Sequence, residues 1–295
     1  MRVPIRPVRG RWPTRIERFG PLRRFFRRDP LTILDENAHA DAYRQAMDSI
    51  YVGNTIKVTG SARHRVPDQL LIDTVALEGA RIVDLGASDG STSVDLAERV
   101  DDFGEFVIAD LHLTVTVVTV GRWHVLFDTD GECILVGSRR LSAWPELSRP
   151  VAALFAGVIR RGRERRAAEG REVVLLNPDT RRLIAADERI SARVHDVFTV
   201  WGEPRPDVIK VANLLRRLYF CDDDLVRALH AVRDSLPEGG HLMVVDNPRI
   251  PGVVDPPPRA GIWQRDGDRL VEVARAGDPE IADLVELVGT AGVPK

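Results

Sequence analysis

The residues with the clearest capacity for chemistry stand at alternate positions in one short stretch, Asp84-Leu-Gly86-Ala87-Ser88-Asp-Gly90. The apolar run Arg81-Ile-Val precedes it. After it, Val94, Leu96, Ala97 and Val100 recur near helical spacing, which predicts a strand, a tight turn and a helix start. In an open α/β sheet such a turn lines a ligand site beyond the carboxyl ends of the strands. A dinucleotide turn would continue Gly86 with glycines at 88 and 91, and both are serines here. A phosphate-cradling loop needs a lysine, and none lies between Lys57 and Lys210. Asp84 itself repels a pyrophosphate and favours an ammonium group. The expected ligand is therefore an adenosine carrying a cationic tail.

Three further polar residues close predicted strands. Asp110 ends Glu105-Phe-Val-Ile-Ala-Asp110, 20 residues beyond Gly90, where nucleoside-binding sheets place an acid for ribose hydroxyls. Asp196 ends Ile190-Ser-Ala-Arg-Val-His-Asp196, and Asn213 ends Asp207-Val-Ile-Lys-Val-Ala-Asn213. Asn213 either orients a nucleophile or hydrogen-bonds a helix start. A fifth strand, His241–Asp246, puts His241 at the end remote from the ligand, and Asp246 at its other end is a base or, in preference, a structural acid. His64, between Arg63 and Arg65 in a polar loop ahead of the turn, is the candidate base, and either arginine is a candidate for holding a carboxylate. Tyr51 and Tyr219 are candidate aromatic walls or core residues.

In these features the chain resembles the class I S-adenosylmethionine-dependent methyltransferases, whose first motif is an acid-x-Gly-x-Gly-x-Gly turn. Asp84, Gly86 and Gly90 match it, and Ser88 departs at the middle glycine. The resemblance covers roughly residues 75–110 and 190–250. It implies that S-adenosyl-L-methionine is the cofactor, held by Asp84, Gly86, Ala87, Ser88, Gly90, Asp110, Leu111, Asp196, Val197 and Asn213. In it Asp110 takes the ribose and Asp196 the adenine amino group, while Leu236-Pro-Glu-Gly-Gly240 matches a further turn with Glu238 out of register. A weaker likeness, to the chemotaxis-receptor glutamate methyltransferases, rests on Val211-Ala-Asn213-Leu-Leu and Tyr219-Phe220. The arginine expected before the asparagine is Ala212.

These residues need a scaffold. The expected fold is α/β, a Rossmann-like doubly wound, mostly parallel seven-stranded sheet with an N-terminal helical segment and a β-rich insertion. Residues 1–30 read as a basic arm and 31–75 as a helical cap or lid. Residues 76–295 read as the methyltransferase domain, interrupted by an insertion at 111–190. Helices are predicted over Ala38–Ile50, Pro67–Ala76, Val151–Arg166 and Asp222–Leu236. Within the insertion, Trp123–Val136 reads as a hairpin about Asp130-Gly131, and Glu172–Ala185 as a second turning at Asn177-Pro178-Asp179. Ile262–Val273 is another Asp-Gly hairpin. The insertion either covers the substrate site or builds a homodimer contact.

Composition sets the remaining bounds. The 295 residues suffice for a large core, and no apolar run approaches the ~18 residues of a membrane span, so a soluble chain is expected. Cys133 and Cys221 are too few for a disulfide framework, and no metal-ligating cluster is evident, which fits the cytoplasm. The chain holds 39 arginines and three lysines, a bias of GC-rich, bacterial genomes. Residues 1–28 hold ten arginines against Glu17, a net +9, leaving about −11 for the remainder. Such an arm suits an anionic membrane, a nucleic acid or an acidic partner, or packs on the surface. Arg23-Arg24-Phe25-Phe26 resembles an export signal, but no apolar region follows it. The expected reaction is methyl transfer to oxygen or nitrogen of a small molecule or peptide. Alternatives are a protein or RNA methyltransferase gripping through the arm, and a non-catalytic cofactor-binding subunit.

Overall fold

The computed structural model describes residues 3–52, 55–56, 64–100, 102–248 and 256–288. Most of the polar loop at 51–65, including Arg63, lies outside them. The chain divides into two units, Met1–Val58 with His112–Pro178, and Thr59–Leu111 with Asp179–Lys295.

The second unit is mixed α/β. Its elements are α1 (Arg65–Thr74), β1 (Arg81–Leu85), α2 (Ser91–Ala97), β2 (Glu105–Asp110), α3 (Pro178–Ala186), β3 (Ile190–Val194), β4 (Val208–Ala212), α4 (Asp222–Ser235), β5 (His241–Asp246), β6 (Arg259–Asp266), β7 (Arg269–Ala276) and α5 (Ala282–Val288). The seven strands lie in the order β3-β2-β1-β4-β5-β6-β7. The first five run parallel, and β6 and β7 add as an antiparallel hairpin. From β1 the chain proceeds outward to β2 and β3, then returns to β4 on the opposite side. That reversal places the switch point, where such sheets bind ligands, between the carboxyl ends of β1 and β4.

Period-two alternation decides which side chains meet which helix. Val83, Leu85, Val107, Ala109, Ile209, Val211, Leu242 and Val244 share one core with Leu225, Ala228, Leu229 and Val232 of α4 and Leu284, Val285 and Val288 of α5. The intervening positions in β1 and β4 include Asp84 and Lys210, a charged pair on adjacent strands of a buried sheet. Helix α4 starts with Asp222, Asp223 and Asp224 in its first turn, where carboxylates favour the exposed amides.

The first unit is a six-stranded antiparallel sheet in the order Ile5–Pro7, Leu141–Ala143, Cys133–Gly137, Trp123–Phe127, Thr114–Val120 and Arg171–Val174. Val118, Val120, Val125 and Phe127 pack with Val151 and Phe155 of the 21-residue helix Arg149–Glu169. Val115, Val117, Leu126 and Leu135 point the other way, to Tyr43, Ala46 and Met47 of helix Ala40–Met47. Tyr51 belongs to this second core, edge-on to Trp144 at 6.1 Å between ring centroids.

One sequence expectation changes. The hairpin about Asn177-Pro178-Asp179 is a strand followed by a helix: Arg171–Val174 pairs with Thr114–Val117, and α3 begins at Pro178. Proline fits the first turn of a helix, where its missing N–H leaves no bond unmade. The basic arm is anchored, because Ile5–Pro7 completes the sheet edge against Leu141–Ala143. No helix of the described residues is long and apolar enough to cross a membrane.

Candidate functional site

The turn after β1 is built on backbone geometry that few sequences allow. Gly86, Ser88 and Gly90 have φ of +78°, +60° and +75°. Gly86 N–H bonds Ala109 O at 2.8 Å, which ties the turn to the end of β2. Ser88, a non-glycine residue in left-handed backbone, is held by its N–H donating to Asp110 Oδ2 at 2.8 Å. Asp110 therefore stands beside the turn, half-buried at the carboxyl end of β2. A carboxylate accepts several donors, so a ribose diol can join the amide of Ser88 there.

Gly90 is required for a second reason. A Cβ at this position would lie 2.5 Å from Thr180 Cγ2 of α3. Thr180 Oγ1 in turn donates to Asp89 O at 3.0 Å, so α3 and the turn are locked together. Gly90→Ala should cost about 2–4 kcal/mol, from left-handed strain and overlap combined. Chemical unfolding would read this as a lower midpoint with an unchanged m-value.

Asp84 has a different environment from the one its place in the turn suggested. It is 1% exposed and accepts from Ser93 Oγ at 2.7 Å. Its neighbour in register is Lys210, and Lys210 Nζ lies 2.8 Å from Asp68 Oδ1 of α1, both residues fully buried. Burial alone disfavours the ammonium of Lys210, but Asp84 and Asp68 outweigh it and keep the group protonated above its ordinary range. Burial raises the carboxyl of Asp68, against the pull of Lys210. Lys210 thus stands opposite Asp84 in register and acts on it electrostatically. Lys210 had a visible signal in the sequence, a lone lysine inside an apolar strand.

At the end of β4, Asn213 and His64 come together. Asn213 is in left-handed backbone, φ +57°, with its N–H on Val245 O at 2.8 Å. Its Oδ1 accepts from the backbone N–H of Asn247 at 2.8 Å, which fixes the amide orientation. Asn213 Nδ2 then donates to Asn247 Oδ1 at 2.7 Å, which fixes that amide as well. His64 Nε2 lies 3.1 Å from the same Asn247 oxygen and 3.2 Å from Asn213 Nδ2. One carbonyl oxygen can accept both donors, whereas an amide cannot send both hydrogens into so narrow a triangle. A His64 tautomer protonated on Nε2 and donating to Asn247 fits this geometry. His64 is 4% exposed and sits immediately before α1. Asn247 was not a sequence candidate; it lies just beyond β5, beside the strand that ends before Asn213.

The other predicted residues are placed as follows. Asp196, just beyond β3, accepts from Phe198 N–H at 3.0 Å. Val197 is in the core packed under α4, and Ala87 is buried within the turn. Leu111 is 46% exposed. His195 Nε2 lies 3.1 Å from Thr199 O, its ring 4.6 Å from that of Trp201, and burial lowers its pKa. His241, half-buried at the start of β5, is likewise lowered by burial. Asp246 receives the backbone N–H of Glu280, and burial raises its carboxyl, in keeping with a structural role. No group of three or more His, Cys, Asp or Glu suited to a metal ion occurs among the described residues.

No protein-family model matches the chain, and no curated protein matches it in sequence. Among solved structures, the pyocyanin biosynthetic protein PhzM is 12% identical, over 65% of this chain and 39% of its own, with a TM-score of 0.35. The mitomycin 7-O-methyltransferase MmcR is 15% identical, over 76% and 44%, TM-score 0.34. Magnesium protoporphyrin IX methyltransferase from Synechocystis PCC 6803, solved with bound SAH, is 11% identical, over 64% and 56%, TM-score 0.32. This chain thus spans 39–56% of the length of those proteins. The solved structures it resembles include named methyltransferases, but likenesses of this size carry no argument about its reaction.

Proposed function

We propose that the chain is an S-adenosylmethionine-dependent methyltransferase with a Rossmann-like sheet, acting on an oxygen or nitrogen of a small molecule or peptide. The observation that carries this reading is the sign of the buried charge at the ligand turn. Asp68, Asp84 and Asp89 are each at most 1% exposed, and among the described residues Lys210 is the one cation buried as deeply. An excess of carboxylate beneath a nucleoside site opposes a pyrophosphate and favours a cationic ligand.

The residues fit that ligand in order. Across the sheet, the carboxyl edge presents Asp196, Asp110, Ser88 and Asn213 in turn. An adenine amino group, a ribose diol and a cationic tail would meet a carboxylate, a second carboxylate and the acid-rich turn. When bound, the cofactor supplies a methyl group on an electrophilic sulfonium. Asp110 takes the ribose hydroxyls alongside the amide of Ser88. Asn213 and Asn247 hold His64 in one orientation. His64, held against Asn247 and Asn213, is the group assigned to take the proton of the acceptor. Methyl transfer depends mainly on holding the nucleophile in line and excluding water, which a buried imidazole at a strand end serves.

The test is formation of S-adenosylhomocysteine with a panel of phenolic, carboxylic and amine acceptors. His64→Gln should lower turnover by 10²–10⁴-fold, the usual worth of a general base, while leaving cofactor affinity within about twofold. Cofactor bound with no product from any acceptor would favour a non-catalytic subunit instead.

A further inference from the structure

The basic arm forms a clasped loop. Ile5–Pro7 is fixed in the sheet, and Val8 N–H bonds Arg140 O at 2.9 Å. The chain leaves at Arg9 and returns at Arg27, and the two are tied by Arg9 N–H to Arg27 O at 2.7 Å and Arg27 N–H to Pro7 O at 3.2 Å. Val8 and Phe26, 1% and 3% exposed, plug the base. Trp12 adds an indole N–H to Arg140 O at 3.0 Å and an edge-on contact with Phe26. Two short helices, Thr14–Glu17 and Gly20–Arg23, make up the projecting part.

What the loop presents is arginine around exposed apolar side chains. Residues 9–28 hold eight arginines and one acid, and all eight arginines are exposed. The acid, Glu17, is turned inward, accepting from Gly10 N–H at 2.7 Å and Trp12 N–H at 3.1 Å. None of the eight arginines forms an ion pair among the described residues. Between them Ile16 is 39% exposed and Phe19 58% exposed.

We propose that this loop docks on an anionic bilayer surface, with its arginines on headgroup phosphates and Ile16 and Phe19 at the acyl boundary. The combination favours a bilayer over a nucleic acid. The arginines and Phe19 alone suit either polyanion, but the exposed aliphatic Ile16 has no face on which a base can stack, whereas an interface takes it up. The closed base holds the apolar tip outward without support from a partner, and the chain needs no spanning helix to reach the membrane. This docking is independent of the reaction proposed for the other unit.

The experiment is cosedimentation of the full-length protein with vesicles of phosphatidylcholine containing about 30 mol% phosphatidylglycerol, against phosphatidylcholine alone. The protein should pellet with the anionic vesicles only, and release as salt is raised toward 1 M, where screening is nearly complete. R15S/R18S/R23S/R24S should weaken partitioning by roughly fivefold per arginine, several hundredfold in all. I16S/F19S should weaken it while keeping the salt dependence. Both variants alter exposed positions, and an unchanged thermal transition would show that they fold. Failure to bind either vesicle, equal binding to both, or binding to single-stranded RNA with vesicles ignored would each overturn the proposal.

Discussion

Lys210→Met should be the most damaging single substitution in the second unit, lowering stability by about 3–5 kcal/mol. The variant is close in size but leaves Asp84 and Asp68 buried together without a cation, at 1% and 0% exposure. For a unit of this length that is a drop on the order of 10 °C in Tm. Asp68→Asn should cost much less, about 1–2 kcal/mol, because Lys210 keeps Asp84 opposite it in register. The asymmetry distinguishes a charge cluster from simple packing, for which the two substitutions would cost similar amounts.

The pH dependence has a definite sign. In Lys210→Met the carboxyl of Asp68, already raised by burial, loses the pull of Lys210 that opposes the rise and keeps the repulsion of Asp84. The folded variant then binds more protons than the unfolded chain, so its stability falls as pH rises through the carboxylate range and recovers on acidification. In the native protein the raised carboxyl of Asp68 acts in the same direction, while the raised ammonium of Lys210 contributes stability that is lost only at alkaline pH. Urea unfolding of both proteins between about pH 4 and 8 should show the deficit of the variant widening with pH. A constant deficit would mean that the Asp68 carboxyl is not the cause.

Asp110→Ala should weaken S-adenosylmethionine binding about 10²-fold. Two charge-assisted bonds to ribose hydroxyls account for roughly 3 kcal/mol. The substitution also removes the acceptor of Ser88 N–H, a residue held at φ +60°. Asp110→Asn keeps an acceptor oxygen and should fall between the two. Calorimetric titration measures all three proteins, and loss of affinity without loss of thermal stability separates a ligand contact from a folding defect.

Much of the second unit was legible because parallel strands buried on both faces read as largely apolar runs closed by a polar residue. Asp110, Asn213 and Asp246 mark such ends, and the structure places them at or just beyond β2, β4 and β5. Local signals failed where one dipeptide supports two structures. Asn177-Pro178 serves a turn or a helix start equally, and the choice depended on Thr180 packing at Gly90. Strand Ile5–Pro7 was hidden because three residues, preceded by Pro4 and ending in Pro7, are too short to show alternation; its pairing with Leu141–Ala143 is decided by tertiary context. Asn247 and Asp68 were hidden for the same reason. Each matters only through a partner far away in sequence, Asn213 in one case and Lys210 in the other.

The central claim is that an acid-rich switch point takes a cationic nucleoside. Side-by-side calorimetric titration with S-adenosylmethionine, NAD and ATP tests it most directly. The account predicts micromolar binding of S-adenosylmethionine, about 8 kcal/mol, with NAD and ATP weaker by at least about two orders of magnitude. Binding of NAD or ATP as tight as that of S-adenosylmethionine, or no binding of S-adenosylmethionine at millimolar concentration, would contradict it.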